Sequence, residues 1–361
     1  MRPASRPGLA AAAGYSLIEL IVAMGIFTVI MGVTLTGLAN VIQGNEVVMS
    51  VAQINNTARA GMDLMVRDML QVGSGLPASH AVSIPNGGGS QRVRLPGPPG
   101  TNFQTDATDV VLPAIIPRAG AGPVIDGVAT DVVTMLMADN AFLDVALSAV
   151  AASQVTVAAG PDIENGPDRV TVGQLMLISK GSFNTLVQVT DVNYNTRVLR
   201  FQDNDSLRLN QSGAANGNLP ALNAQAPVNS AASTRISRLR MITYYMDNTD
   251  VNHPRLVRRV NNGSASTFDN TLGTAVAIDS FDLQFTYDIS NGVNNPGGVE
   301  MTASDLGTGG ACAPDACGET QIRKVNIRLQ SRATTRNQRF LNNVLESQVS
   351  LRAMAFVDRY R

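Results

Sequence analysis

The residues that could do chemistry are few and scattered. His80 and His253 are the only imidazoles among 361 residues, and no G-x-S-x-G elbow offers a serine for them to activate. Cys312 and Cys317 flank a Pro-Asp turn in CAPDAC. Two thiols so close in sequence suit a local disulfide in an oxidising compartment. A zinc site takes about four ligands, and the histidines, both in turn-like sequence far from the cysteines, do not complete one, so no metal is expected. The acidic pairs Asp203/Asp205 and Asp247/Asp250 lack the glycine and closing glutamate of an EF-hand loop and read as solvated turns. The NGGG stretch before Gln91 has no Lys-Ser/Thr ending and is no phosphate loop. Neither an enzyme nor a cofactor site is expected. What remains is one carboxylate, Glu19, set inside a long apolar run just after a Gly14-Tyr15 step.

That run extends from Tyr15 to about Leu38 and interrupts its apolar residues with little besides Glu19 and a few Ser, Thr and Gly. About 20 apolar residues cross a membrane as a helix, and Arg2 and Arg6 ahead of the run favour a cytoplasmic N-terminus. A secretory signal has a shorter core and is cut after it. Here the small-residue site, AAAAG, comes first, so cleavage there would keep the apolar segment. A charge at the centre of a membrane helix costs about 2.5–3.5 kcal/mol on insertion scales. The cost is smaller near an end, where Glu19 could snorkel to the headgroups. The alternative is that it meets a cation. Cleavage after Gly14 would free an α-amine on Tyr15, and staggered neighbouring helices could pair that amine with Glu19 in a medium where an unpaired charge is costly.

The helical pattern continues beyond the apolar run. Val47, Val51, Ile54, Ala58, Met62, Met65, Met69 and Val72 recur at steps of three and four, while Gln53, Asn56, Arg59, Asp63 and Arg67 fill the other faces. This is an amphipathic helix with one buried stripe, stopped by Gly73 and then Pro77. Residues 74–130 are rich in Gly, Pro, Asn and Ser and read as turns and loops, followed by a strand at 131–139. β-rich runs between about 142 and 212 suggest a small antiparallel unit inserted before the last sheet, and 212–233 reads as a linker. Strands then follow at 238–247, 256–260, 275–289 and 321–333, with a further candidate at 349–360. In IRKVNIRLQ, Ile322, Val325, Ile327 and Leu329 share one face with one slip, as in an antiparallel sheet covered on one side. The expected class is α+β. A long N-terminal helix, its first half membrane-spanning, packs on an antiparallel β-sheet domain with an inserted β-rich unit. The divisions are 1–14, 15–73, 74–235 and 236–361. A net charge of −1, with 15% charged and 44% hydrophobic residues, argues against a disordered chain or a strongly basic nucleic-acid binder.

GYSLIELIVAM, with its short basic leader, resembles the signature of the type IV pilins and type II secretion pseudopilins. RAGMDLMVRDMLQVG adds a likeness to large minor pilins of the PilW type and the related J-type pseudopilins, through Arg67, Asp68 and Gly73. The resemblance implies that residues 1–14 are a prepilin leader, that prepilin peptidase cuts between Gly14 and Tyr15, and that Tyr15 is N-methylated. Ser16 and Leu17 fit the usual positions, and Glu19 becomes the assembly glutamate. It further implies a single-pass protein of the bacterial inner membrane with a periplasmic body. Its partners would be other minor and major pilins and an inner-membrane assembly platform, and its destination a type IV pilus at the cell surface. A J-type pseudopilin of type II secretion would share these features. A membrane-anchored enzyme or receptor that never assembles is the rival from another class.

Overall fold

The computed structural model describes residues 16–227, 230–264, 268, 273–289, 299–302, 306, 318–334 and 340–355. One helix, α1 (Leu17–Met69), runs for 53 residues, about 80 Å at 1.5 Å per residue. Its first half is exposed from Leu17 to Asn45, and it is long and apolar enough to cross a membrane. The change comes where the periodicity predicts it. Ile54, Ala58, Met62, Met65, Met69 and Val72 are buried, Val47 and Val51 half-buried, and Gln53, Asn56, Arg59, Asp63 and Arg67 exposed.

The stop also falls where the glycine stands. Leu70 is the C-cap, and Gly73 then takes φ +78 while its N–H donates to Leu136 O at 3.0 Å. An L side chain would be strained in that left-handed conformation. Gly61 serves the packing differently. A Cβ there would lie 3.1 Å from Ala277 Cβ and 3.4 Å from the Val276 carbonyl oxygen, so a glycine lets the helix backbone approach the sheet closely.

Two large antiparallel sheets, with three two-stranded ones, make up the body among the described residues. The larger has eleven strands and is organised by Thr234–Asp247, a 14-residue strand. One end of this hub pairs with Leu175–Lys180 and Val145–Val150, and the other with Val132–Ala138 and Arg255–Ser264. The smaller sheet runs Val299–Met301, Ser280–Ile289, Ile322–Thr334, Phe340–Ser350. Asp131 joins the sheets: its N–H donates to Leu283 O at 2.9 Å, and its carboxylate accepts from Phe285 N–H, also at 2.9 Å. The main core lies where α1 meets the inner faces of both sheets, with Met65, Met69, Tyr244, Leu256, Phe285 and Ile327 among its members. A second core covers the opposite face of the hub. Every residue of Val132–Ala138 is buried, as a strand covered on both faces requires.

The architecture is thus α+β, with several local departures from expectation. The stretch read as loops at 74–130 contains short paired strands, among them Ala81–Ser83 with Val111–Pro113 and Ile115–Arg118 on Val132–Ala138. Such pieces are too short for alternation to show between their glycines and prolines. The β-rich runs after 142 gather a core of their own, yet they hydrogen-bond directly onto the hub, so the large sheet passes through them without a break. The stretch 212–233 holds a short helix, Leu219–Asn223, capped by the Asn218 side chain and anchored by buried Leu219 and Leu222. Of the strand expected at 349–360, only residues 349 and 350 are extended, at the end of a strand Phe340–Ser350; Arg352–Ala355 is helical, and 356–360 lie outside the described residues. In FLNNVLESQVS the apolar residues come as adjacent pairs, 340/341 and 344/345, before 349, a spacing that hides the strand period. The slip in IRKVNIRLQ is a bulge: Asp288 pairs with Lys324 but Ile289 with Ile322, leaving Arg323 as the extra residue.

Candidate functional site

Glu19 lies in the first turn of α1 and closes a capping box. Ser16 N–H donates to its Oε2 at 3.0 Å, and its own N–H donates to Ser16 Oγ at 3.2 Å. Ser followed three residues later by Glu is the sequence form of this motif, and it satisfies two of the amides that a helix start leaves bare. The box folds the carboxylate back toward the N-terminal end of the helix, where the positive end of the dipole also favours it. A carboxylate has about four lone-pair sites, so the cap leaves room for a further donor. Glu19 borders a shallow apolar groove lined by Ile18, Val22, Ala23 and Ile26. It is the sole ionisable side chain between Leu17 and Asn45. Gly14 and Tyr15, the expected cleavage and methylation positions, lie outside the described residues, as do Cys312 and Cys317 of the expected disulfide.

At the far end of α1, Asp68 is buried and fully engaged. Arg258 holds it with two bonds, Nε to Oδ2 at 2.6 Å and Nη2 to Oδ1 at 3.2 Å, and Tyr244 Oη donates to Oδ2 at 2.7 Å. Tyr244 and Arg258 are directly opposed across the hub and its neighbour, so both side chains leave the sheet on one face and meet the helix together. Burial, then the neighbouring Asp68 carboxylate, pushes the Tyr244 phenol well above its ordinary range. Burial alone would lower the Arg258 guanidinium, but the bond to Asp68 outweighs it and raises it. Arg67 and Asp68 were singled out in the sequence by the Arg-Asp pairing. Neither of Asp68's partners was, because both lie more than 170 residues away along the chain and nothing local marks them.

The remaining candidates stand apart from one another. His80 is buried in the turn before Ala81, with φ +52. His253 is exposed and bonds Asp279 at 2.7 Å, which raises its pKa. Asp247 accepts from Thr249 and pairs with Arg255, as a turn residue would. Asp205 departs from the solvated-turn reading. It is buried and accepts from the amides of Leu207, Leu209 and Asn210, so it organises its loop from inside. Burial still outweighs those bonds and pushes its carboxyl up to about 6. Among the described residues no three His, Cys, Asp or Glu side chains converge as metal ligands would. What the fold defines at this level is an apolar helix able to enter a membrane, fused to a β-sheet body. No protein-family model, curated protein or solved structure matches the chain.

Proposed function

We propose that this chain is a minor pilin that initiates, or sits at the tip of, a type IV pilus. The observation that carries the reading is the division of α1. Its first half offers a predominantly apolar surface with a single carboxylate turned toward the helix start, while its second half is fixed to the body. A free-standing apolar helix of this kind is stable in lipid or in a bundle of its own sort. Prepilin peptidase would cut between Gly14 and Tyr15, Tyr15 would be N-methylated, and the new amine would meet Glu19 of a neighbouring subunit as sibling helices pack. Association buries apolar surface, and the ion pair fixes the stagger. Along a fibre a body of this bulk would crowd its neighbours, which favours a rare or terminal position over the repeating shaft.

Mass spectrometry of the mature N-terminus tests the processing. A chain beginning at methylated Tyr15 is expected, and an intact Met1 would overturn the reading. Immunogold labelling tests the position: rare or tip-only label is expected, and label along the whole fibre would exclude a terminal role.

A further inference from the structure

The loop that leads from the strand Val198–Arg200 toward the helix Leu219–Asn223 faces residues 89–94 across a polar cleft of about 400 Å³. Arg94 and Arg208 both line it. Their backbones are tied together, since Arg94 N–H donates to Leu207 O at 2.9 Å. Arg208 sits at φ +59, a conformation that L residues other than Asn and Asp rarely adopt. Arg94 stacks over the Phe268 ring, 5.4 Å from its centroid, and its Nε is buried without a hydrogen-bond partner. Burial, and then the nearby charge of Arg208, lower its proton affinity.

Two carboxylates also line the cleft, but both are engaged elsewhere. Asp203 accepts from Ser212 N–H at 2.8 Å and Ser212 Oγ at 2.6 Å. Asp205 is turned inward onto three backbone amides of its own loop, at 2.7–3.2 Å. Among the described residues neither guanidinium has an ion-pair partner. Two like charges thus line one polar cleft and, among the described residues, neither forms a direct ion pair with the carboxylates that share it.

We propose that this cleft binds an oxyanion, held between the guanidiniums of Arg94 and Arg208, of the kind carried by a phosphorylated, sulfated or carboxylated ligand. The planar fork of a guanidinium matches such groups with paired, charge-assisted hydrogen bonds. Stacking on Phe268 fixes the plane of one fork before the anion arrives. An anion between the two cations also converts their mutual repulsion into two attractions. The site is independent of the assembly reading, because none of its lining residues belongs to α1.

The test is isothermal titration of the full-length chain in nonionic detergent at constant ionic strength, with chloride as the balancing anion. Sodium phosphate and sodium glucuronate are run as separate arms, and the tighter of the two assigns the class of oxyanion. Saturable binding is expected, weakened at least tenfold in Arg94→Gln and in Arg208→Gln. In the absence of ligand, Arg208→Gln is expected to melt at or above the wild-type temperature, because the substitution relieves repulsion. Failure of both anions to saturate would overturn the proposal. So would unchanged affinity in both variants, or an Arg208→Gln chain that melts lower and thereby shows the arginine to be structural.

Discussion

Glu19 and Asp68 sit near opposite ends of one helix and meet their electrostatic needs in different ways. Asp68 is buried and complete: two donors from two adjacent strands fill its oxygens, and the chain supplies both. Glu19 is exposed, and its described partner is the backbone N–H of Ser16. The surroundings differ in the same sense. Around Asp68 one face of α1 is buried in the main core, while around Glu19 every face is apolar and open. A helix half that the body completes reads as structure, and a half with its apolar surface and its acid both left open reads as a place where something else docks.

The comparison breaks most sharply at Asp68. In Asp68→Ala the buried Tyr244 hydroxyl and the Arg258 guanidinium lose their shared acceptor. Removing one partner of a buried ion pair costs about 3–5 kcal/mol, so the urea midpoint of the full chain in detergent should fall accordingly. Asp68→Asn keeps the shape and one acceptor and should fall less. If Asp68→Ala unfolds at the wild-type midpoint, the clamp is not what holds α1 to the sheet.

Asp205 sharpens the same contrast, as a buried carboxylate held by backbone amides. Its carboxyl titrates at about 6, above the unfolded value near ~4, so the folded state holds the proton more tightly. The stability it contributes is therefore fully present below the unfolded value and is lost as pH rises through about 6. Urea midpoints measured at about pH 4.5 and about pH 7.5 should show this as a loss of roughly 2 kcal/mol that Asp205→Asn does not share. An identical pH response in the variant would assign the dependence to other groups.

Gly61 tests the docked half by a smaller amount. Gly61→Val brings a branched side chain to within van der Waals contact of Ala277 and the Val276 carbonyl, and overpacking of this kind costs about 1–3 kcal/mol. Gly32 and Gly37, in the open half, have nothing nearby for a new Cβ to meet. Alanine at either should leave the unfolding of the body unchanged, and a matching loss there would mean that the first half also packs against it.

The two halves also differ in how far the sequence alone reveals them. The buried stripe from Ile54 to Val72 and the stop at Gly73 were legible because helix period and glycine chemistry act over a few residues. The apolar run was legible from its length. The hub was legible as a strand at 238–247, but not as the strand onto which partners from 132 to 264 all converge, since pairing is decided across long separations. The Phe340–Ser350 strand was hidden because its apolar residues fall in adjacent pairs rather than alternating. Of the candidate sites, Glu19 stood out because a charge in an apolar run is conspicuous. The Arg94–Arg208 cleft did not, because two ordinary arginines become a pair only through the fold.

The smallest effect on stability should come from Glu19, and there the choice of substitution matters. Glu19→Ala removes both the charge and the reciprocal half of the capping box, so a defect in it would be ambiguous between a frayed helix start and a missing anion. Glutamine serves the capping box as glutamate does, so Glu19→Gln keeps the Ser16 cap and removes the charge alone. Neither variant should shift the urea midpoint of the body, because the first half of α1 is exposed along its length. If the open acid awaits a cation from another chain, Glu19→Gln should lose co-purification with the pilin partners proposed above in detergent as completely as Glu19→Ala. Aspartate, one methylene shorter, should restore part of it. If Glu19→Gln associates as the wild type does, the carboxylate is a helix cap like any other, and the contrast with Asp68 is one of burial alone.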